Sequence, residues 1–326
     1  MPTHRRLDAF LKRVIELLTR VTAARAGARS KHADRIVMAV ATVIFVGGSI
    51  VAYASLPDPR PQPIWILLLL TAVVGVPLTL ATNTAEYLVS LKLLRYRVPL
   101  EAAIRVSILA AAANLLPLPG SVLVRTHAIR RLGAKTGRAL GVSTLVGVAW
   151  LATTAALSGG FLLIYGRIIL GSVTASIGAL LLVATFYLSA RLDVARSAAF
   201  TGELFLVETA SVLVKAARLY VVFRALGHQV DVDQVLALTM AAVVATASGF
   251  FPGGLGATEV LSAAISPLID VPAALGLLVA AIDRLLGIVV LGLLSALLLT
   301  RRSDVLDEDV DAPPPSVAGI DRGSLT

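Results

Sequence analysis

Apolar residues run along this chain in long blocks, interrupted by short clusters of Lys, Arg, Pro and Gly. A helix needs about 20 such residues to cross a bilayer core. The pattern predicts six spans, at roughly 36–56, 64–90, 139–165, 168–190, 199–226 and 272–299. The Pro-rich turn Pro57-Asp-Pro-Arg-Pro-Gln-Pro63 closes the first, Lys92, Arg95 and Arg97 end the second, and Arg301 and Arg302 close the last. Two further apolar stretches, 100–131 and 233–268, are too short and too broken to cross and return as full spans. Each predicts a re-entrant helical hairpin. Ahead of the spans, residues 1–35 hold nine Lys or Arg with Leu7, Phe10, Leu11, Val14, Leu18 and Val21 at helical spacing. They predict a basic amphipathic helix on the cytoplasmic leaflet, with a solvated helix as the alternative and no signal peptide expected. Residues 301–326, with Asp307, Glu308, Asp309 and Pro313-Pro-Pro315, predict a disordered cytoplasmic tail.

The two hairpins carry the strongest helix breakers. In Ala247-Ser-Gly-Phe-Phe-Pro-Gly-Gly-Leu-Gly-Ala-Thr-Glu259, Pro252 removes a backbone donor, and Gly253, Gly254 and Gly256 favour turns. The backbone should open between two short helices, which lipid tolerates only where protein or a water-filled cavity surrounds it. Glu259 then falls in the first turn of the second half-helix, where the positive dipole end favours an anion. A kinked helix ending in an acid is the simpler alternative. The first hairpin has the analogous break in Asn114-Leu-Leu-Pro-Leu-Pro-Gly120, with Pro117 and Pro119 as its breakers.

These breaks expose a repeat. Pro119-Gly120 and Pro252-Gly253 are 133 residues apart, and the same offset sets Tyr87 on Tyr220, Val89 on Val222, Leu93 on Leu226 and Ala112 on Ala245. It also carries spans one to three, with their hairpin, onto spans four to six with theirs. Three crossings per half place the second half upside down relative to the first, the inverted-topology repeat of many transporters. The expected architecture is an all-α polytopic membrane protein with repeats at 36–166 and 167–300. Charge agrees with it: the segments assigned to the cytoplasm hold 20 Lys or Arg, and the outer turns hold three, Arg60, Arg167 and Arg224. Such a bias puts both termini in the cytoplasm.

Composition narrows the chemistry. Of 326 residues, 57% are hydrophobic and 15% charged, and there is no cysteine, so disulfides, thiol nucleophiles and Cys-based metal sites are excluded. Four histidines lack ligand spacing, and no metal or cofactor is expected. The net charge of +9 sits beside apolar spans, so its expected partner is an anionic membrane surface and not nucleic acid. The informative charges lie inside the spans. Glu208, Lys215 and Arg218, at steps of seven and three, share one helical face with Ser211; Asp283 and Arg284 lie in the last span, Glu86 in the second, and Arg105 and Arg125 in the first hairpin. A charge at the bilayer centre costs at least about 2.5–3.5 kcal/mol, so this set should line an interior. The alternative is structural, with internal pairs such as Glu208 with Lys215 or Arg218, and long side chains snorkelling from the span ends.

The run from Glu208 through Leu226-Gly-His228, Pro252-Gly-Gly-Leu-Gly-Ala-Thr-Glu259 and Asp283-Arg284 resembles the transmembrane region of the lysylphosphatidylglycerol synthase family. These are the flippase modules of multiple-peptide-resistance proteins and their stand-alone relatives. Asn114-Leu-Leu-Pro-Leu-Pro-Gly120 followed by Arg125 is similar to that family's first hairpin, but no acid lies between Gly120 and Arg125. The resemblance covers about residues 36–300. It implies lipid translocation in the cell membrane without lipid synthesis, since no synthetase domain follows. No nucleophile paired with a base and no phosphate-cradling loop stands out, so a carrier and not an enzyme is expected. The expected substrate-binding residues are Arg125, Lys215, Arg218 and Arg284 for an anionic headgroup, with Glu86, Glu208, Glu259 and Asp283 balancing them or receiving a cationic one. Acyl tails would stay in lipid while the headgroup slides through a polar groove. Two other classes stay open: an ion-coupled carrier of a small solute, and a non-transporting scaffold for a partner enzyme. A homo-oligomer is compatible with all three.

Overall fold

The computed structural model describes residues 62–114, 120–191, 198–248 and 256–300, with residues 42, 45–50 and 52–54 ahead of them. The basic segment 1–35, most of the span expected at 36–56, and the tail 301–326 lie outside the described residues. So do Pro117, Pro119, Pro252, Gly253 and Gly254. All regular structure among the described residues is helical, in nine principal helices. They are α1 (Trp65–Leu93), α2 (Leu100–Ala113), α3 (Gly120–Arg131), α4 (Thr136–Ile164), α5 (Ile168–Arg191), α6 (Ala198–Ala225), α7 (Val232–Ser248), α8 (Ala257–Ile265) and α9 (Ala273–Thr300). A 3₁₀ turn, Ser266–Ile269, extends α8.

Four of these, α1, α4, α5 and α9, are long and apolar enough to cross a membrane. Helix α6 has 28 residues, length enough, but it carries Glu203, Glu208, Lys215, Arg218 and Arg224 and so falls outside that set. Its charged face is buried in protein: Glu208, Ser211 and Arg218 are all buried. The outer surface is the opposite. Trp65, Leu69 and Val73 on α1, and Ile169, Leu180, Val183 and Phe186 on α5, are exposed, an apolar belt that water would penalise and hydrocarbon would not.

The 133-residue shift recurs in the helices themselves. Helix α1 maps onto α6, α2 onto α7, α3 onto the stretch holding α8, and α4 onto α9. Both hairpins return to the end where they began. In the first, Val98 and Ala102 line the same foot as Arg131 and Leu132. At its tip a Cβ on Gly120 would lie 2.0 Å from the Ala113 carbonyl oxygen, so only glycine lets the two arms meet. In the second, Gln234 Nε2 donates to the Ile269 carbonyl at 2.7 Å, and Arg167 pairs with Asp270 at 2.5 Å and approaches Asp233 at 3.8 Å. One arginine from the α4–α5 turn thus ties both feet of that hairpin. Helices α4 and α5 pack through small residues: Gly159 lies against Ala175, and Gly178 against Ala156, at distances where a Cβ would strike backbone atoms. Helix α9 packs on α1, α2 and α6, which joins the two halves.

Candidate functional site

The interior charges fall into two groups, both anchored on α6. The first joins α1, α3 and α6. Arg125 Nη1 donates to Glu86 Oε1 at 2.5 Å, and Arg125 Nη2 donates to the Asn83 carbonyl at 3.3 Å. Both side chains of the pair are only 12% exposed. No acid lies between Gly120 and Arg125, and α1 supplies the counter-charge instead. Glu208 has this pair as its charged neighbours. It is 0% exposed, and neither carboxyl oxygen receives a hydrogen bond.

The second group joins α1, α6, α8 and α9. Arg218 Nη2 pairs with Asp283 Oδ1 at 2.7 Å, and both side chains are 8% exposed. The same guanidinium donates to Thr79 Oγ1 at 2.9 Å and to the Asp283 carbonyl at 3.1 Å. Its aliphatic stem passes Gly75, where a Cβ would lie 2.8 Å from Arg218 Cγ. Gly75 ends a π turn, Thr71–Gly75, two residues before Pro77, so the widened turn and the missing side chain together admit Arg218. Arg284 Nε lies 2.8 Å from Glu259 Oε1, and Arg284 Nη2 donates to Thr258 Oγ1 at 2.5 Å. The Glu259 contact is an ion pair without hydrogen-bond geometry, and both Glu259 oxygens lack a donor although the residue is 1% exposed. Lys215, half-buried on α6, has Asp283, Glu259, Arg218 and Arg284 as its charged neighbours and forms no ion pair among the described residues.

These positions answer several expectations. Glu259 occupies the first turn of α8 behind Gly256, whose φ of 78° is the left-handed conformation glycine favours. Asn114 Oδ1 accepts a hydrogen bond from the Ser121 backbone, tying the arms of the first hairpin together. Helix α7 is described to Ser248 and α8 from Ala257, and the expected break between them lies outside the described residues. The structural alternative and one placement are corrected. Glu208 pairs with neither Lys215 nor Arg218; Arg218 is engaged by Asp283 on α9. Arg105 belongs to no interior group; half-buried, it pairs with the exposed Glu101 one turn away. Among the described residues Arg125, Arg218 and Arg284 are each closed off by an acidic partner. A cleft of about 190 Å³ beside Tyr87, Val106 and Ala128 is apolar and sits at the foot of the first hairpin, apart from both groups. Sequence reasoning missed Thr79, Thr258 and Gly75. Only Gly75, two residues before Pro77 in an apolar span, left a signal that a break lay there.

Formal charge distinguishes the groups. Glu86, Glu208 and Arg125 sum to one negative charge, and Lys215, Arg218, Arg284, Glu259 and Asp283 to one positive charge. Seven residues of α6, about 10 Å along its axis, separate Glu208 from Lys215.

No protein-family model matches the chain. A UPF0104 membrane protein of Pyrococcus horikoshii is 32% identical to it over 87 residues, 27% of this chain. The match spans about a quarter of that relative's length. It agrees with an apolar, multi-helix membrane chain, and its name carries no activity.

Proposed function

We propose that this chain is a carrier, and not an enzyme, that moves an amphiphile with an anionic headgroup between the leaflets of the cell membrane. The observation that carries the reading is the excess positive charge of the second group, set where a broken helix meets two long ones. A phosphate has three strong acceptor oxygens, and Lys215 offers three donors with no partner to displace. Arg218 and Arg284 are held ready by Thr79 and Thr258 on either side. The two halves act as inverted-topology repeats, both termini cytoplasmic, with α2–α3 and α7–α8 as re-entrant hairpins. Rocking of one half against the other would open the closed pairs to each leaflet in turn while acyl tails stay in lipid. The resemblance to lysylphosphatidylglycerol synthase transmembrane regions points the same way.

The sealed pairs also suit a carrier of a small anionic solute, and one experiment separates the two. Native mass spectrometry of the purified chain should retain an anionic phospholipid that Lys215→Gln loses at least tenfold. A wild-type protein that releases only lipids in bulk-membrane proportions, with no enrichment of anionic ones, would refute the lipid reading.

A further inference from the structure

The first charged group has no role in holding the anion, and its composition points to a different ligand. Two carboxyl groups face one guanidinium. Glu86 takes the short contact with Arg125, which leaves Glu208 sealed from solvent with both oxygens unpartnered. A bare carboxylate in that position costs several kcal/mol of lost hydration with nothing to offset it. The charges facing it are few. Helix α1 presents Glu86, with Tyr87 beside it, and α3 presents Arg125; the spanning part of α4 carries no charged side chain, α7 carries only Asp233 at its far end, and the Asp283 and Arg284 of α9 are engaged with Arg218 and Glu259. On α6 itself, Glu203 pairs with Lys92 at the surface and Lys215 belongs to the second group.

We propose that Glu208 is a proton-binding site, neutral while Arg125 is paired with Glu86, and that proton binding there accompanies carriage of the anion. Binding is carboxylate plus hydronium giving carboxylic acid plus water, the proton coming from whichever face the groups open to. With Glu208 protonated, the first group is neutral. With Glu208 ionised, it repels an anion two turns away at Lys215. One proton and one monoanionic headgroup therefore move together without net charge. This rests on the proposed carriage of an anion, and its test has a readout that does not depend on transport.

That readout is the infrared carbonyl stretch of protonated carboxyl groups, recorded on the full chain in liposomes. At neutral pH the wild type should show a buried protonated-carboxyl band that Glu208→Gln lacks, with the thermal unfolding temperature of the variant unchanged. Glu86→Gln should also lose the band, because Glu208 becomes the only acid beside Arg125 and ionises. A band that survives in Glu208→Gln, or its absence from the wild type, overturns the proton site whether or not lipid moves. The second arm imposes a pH gradient on vesicles containing labelled phosphatidylglycerol. One-to-one coupling shifts the steady leaflet ratio by up to about tenfold per pH unit, and Glu208→Gln abolishes the shift. Exchange that proceeds but ignores the gradient leaves Glu208 a static buried acid and overturns the coupling.

Discussion

Each interior arginine meets its partner across a long stretch of sequence: Arg125 reaches back to Glu86, Arg218 forward to Asp283, and Arg284 back to Glu259. Breaking such a pair leaves one charge desolvated, which typically costs about 3–5 kcal/mol, whereas replacing both partners by apolar residues is often neutral. Glu259→Leu should therefore lower the unfolding temperature markedly in detergent, and Glu259→Leu combined with Arg284→Met should recover most of the loss. If the double variant is no more stable than the single one, Glu259 and Arg284 are not an energetic unit. Gly75 supplies a second check at this scale. Gly75→Leu forces a side chain into the space of the Arg218 stem and should destabilise by about 1–3 kcal/mol, read as a lower unfolding temperature. That Glu259 would open a half-helix was legible in the glycines before it, since those are local constraints. That Arg218 would choose Asp283 over Glu208 was not, because the choice depends on how α9 packs on α6.

At the scale of the helices, hydrophobic blocks and breakers told most of the story. The spans expected at 64–90, 139–165, 168–190, 199–226 and 272–299 correspond to α1, α4, α5, α6 and α9 within a few residues. The π turn in α1 left only an indirect trace, since an apolar run reads alike whether its turns are α or π. Close packing of α4 on α5 was also silent in the pattern, as glycine there is chosen for the neighbour it meets. The two adjacent glycines of α4 make this testable. Gly159 abuts Ala175, whereas a Cβ on Gly160 would meet nothing within 4 Å. Gly159→Val should lower the unfolding temperature clearly and Gly160→Val hardly at all, and equal effects would contradict the packing. Hairpin geometry has its own check. With Gln234 bonded to Ile269 and Arg167 tied to Asp270, cysteines placed at 231 and 270 of this cysteine-free chain should be labelled from the same side of the membrane. Labelling from opposite sides would remove the re-entrant reading of α7–α8.

At the scale of the whole molecule, charge is placed in an apolar frame. Among the described residues an exposed apolar belt surrounds two interior charge groups in which Lys215 is the residual cation and Glu208 the residual acid. The repeat at 133 residues was readable because breakers and span lengths recur at fixed spacing. The division of interior charge into two groups of opposite excess was not, because it emerges only when five helices are brought together. The most direct measurement of the central claim is leaflet exchange in proteoliposomes, comparing labelled phosphatidylglycerol with labelled phosphatidylcholine for the wild type, Lys215→Gln, Arg284→Lys and Arg284→Gln. The account predicts faster exchange of the anionic lipid by the wild type, at least a tenfold loss in Lys215→Gln and Arg284→Gln, and partial activity in Arg284→Lys. Equal exchange of both lipids, or wild-type rates in Lys215→Gln and Arg284→Gln with folding intact, would contradict it.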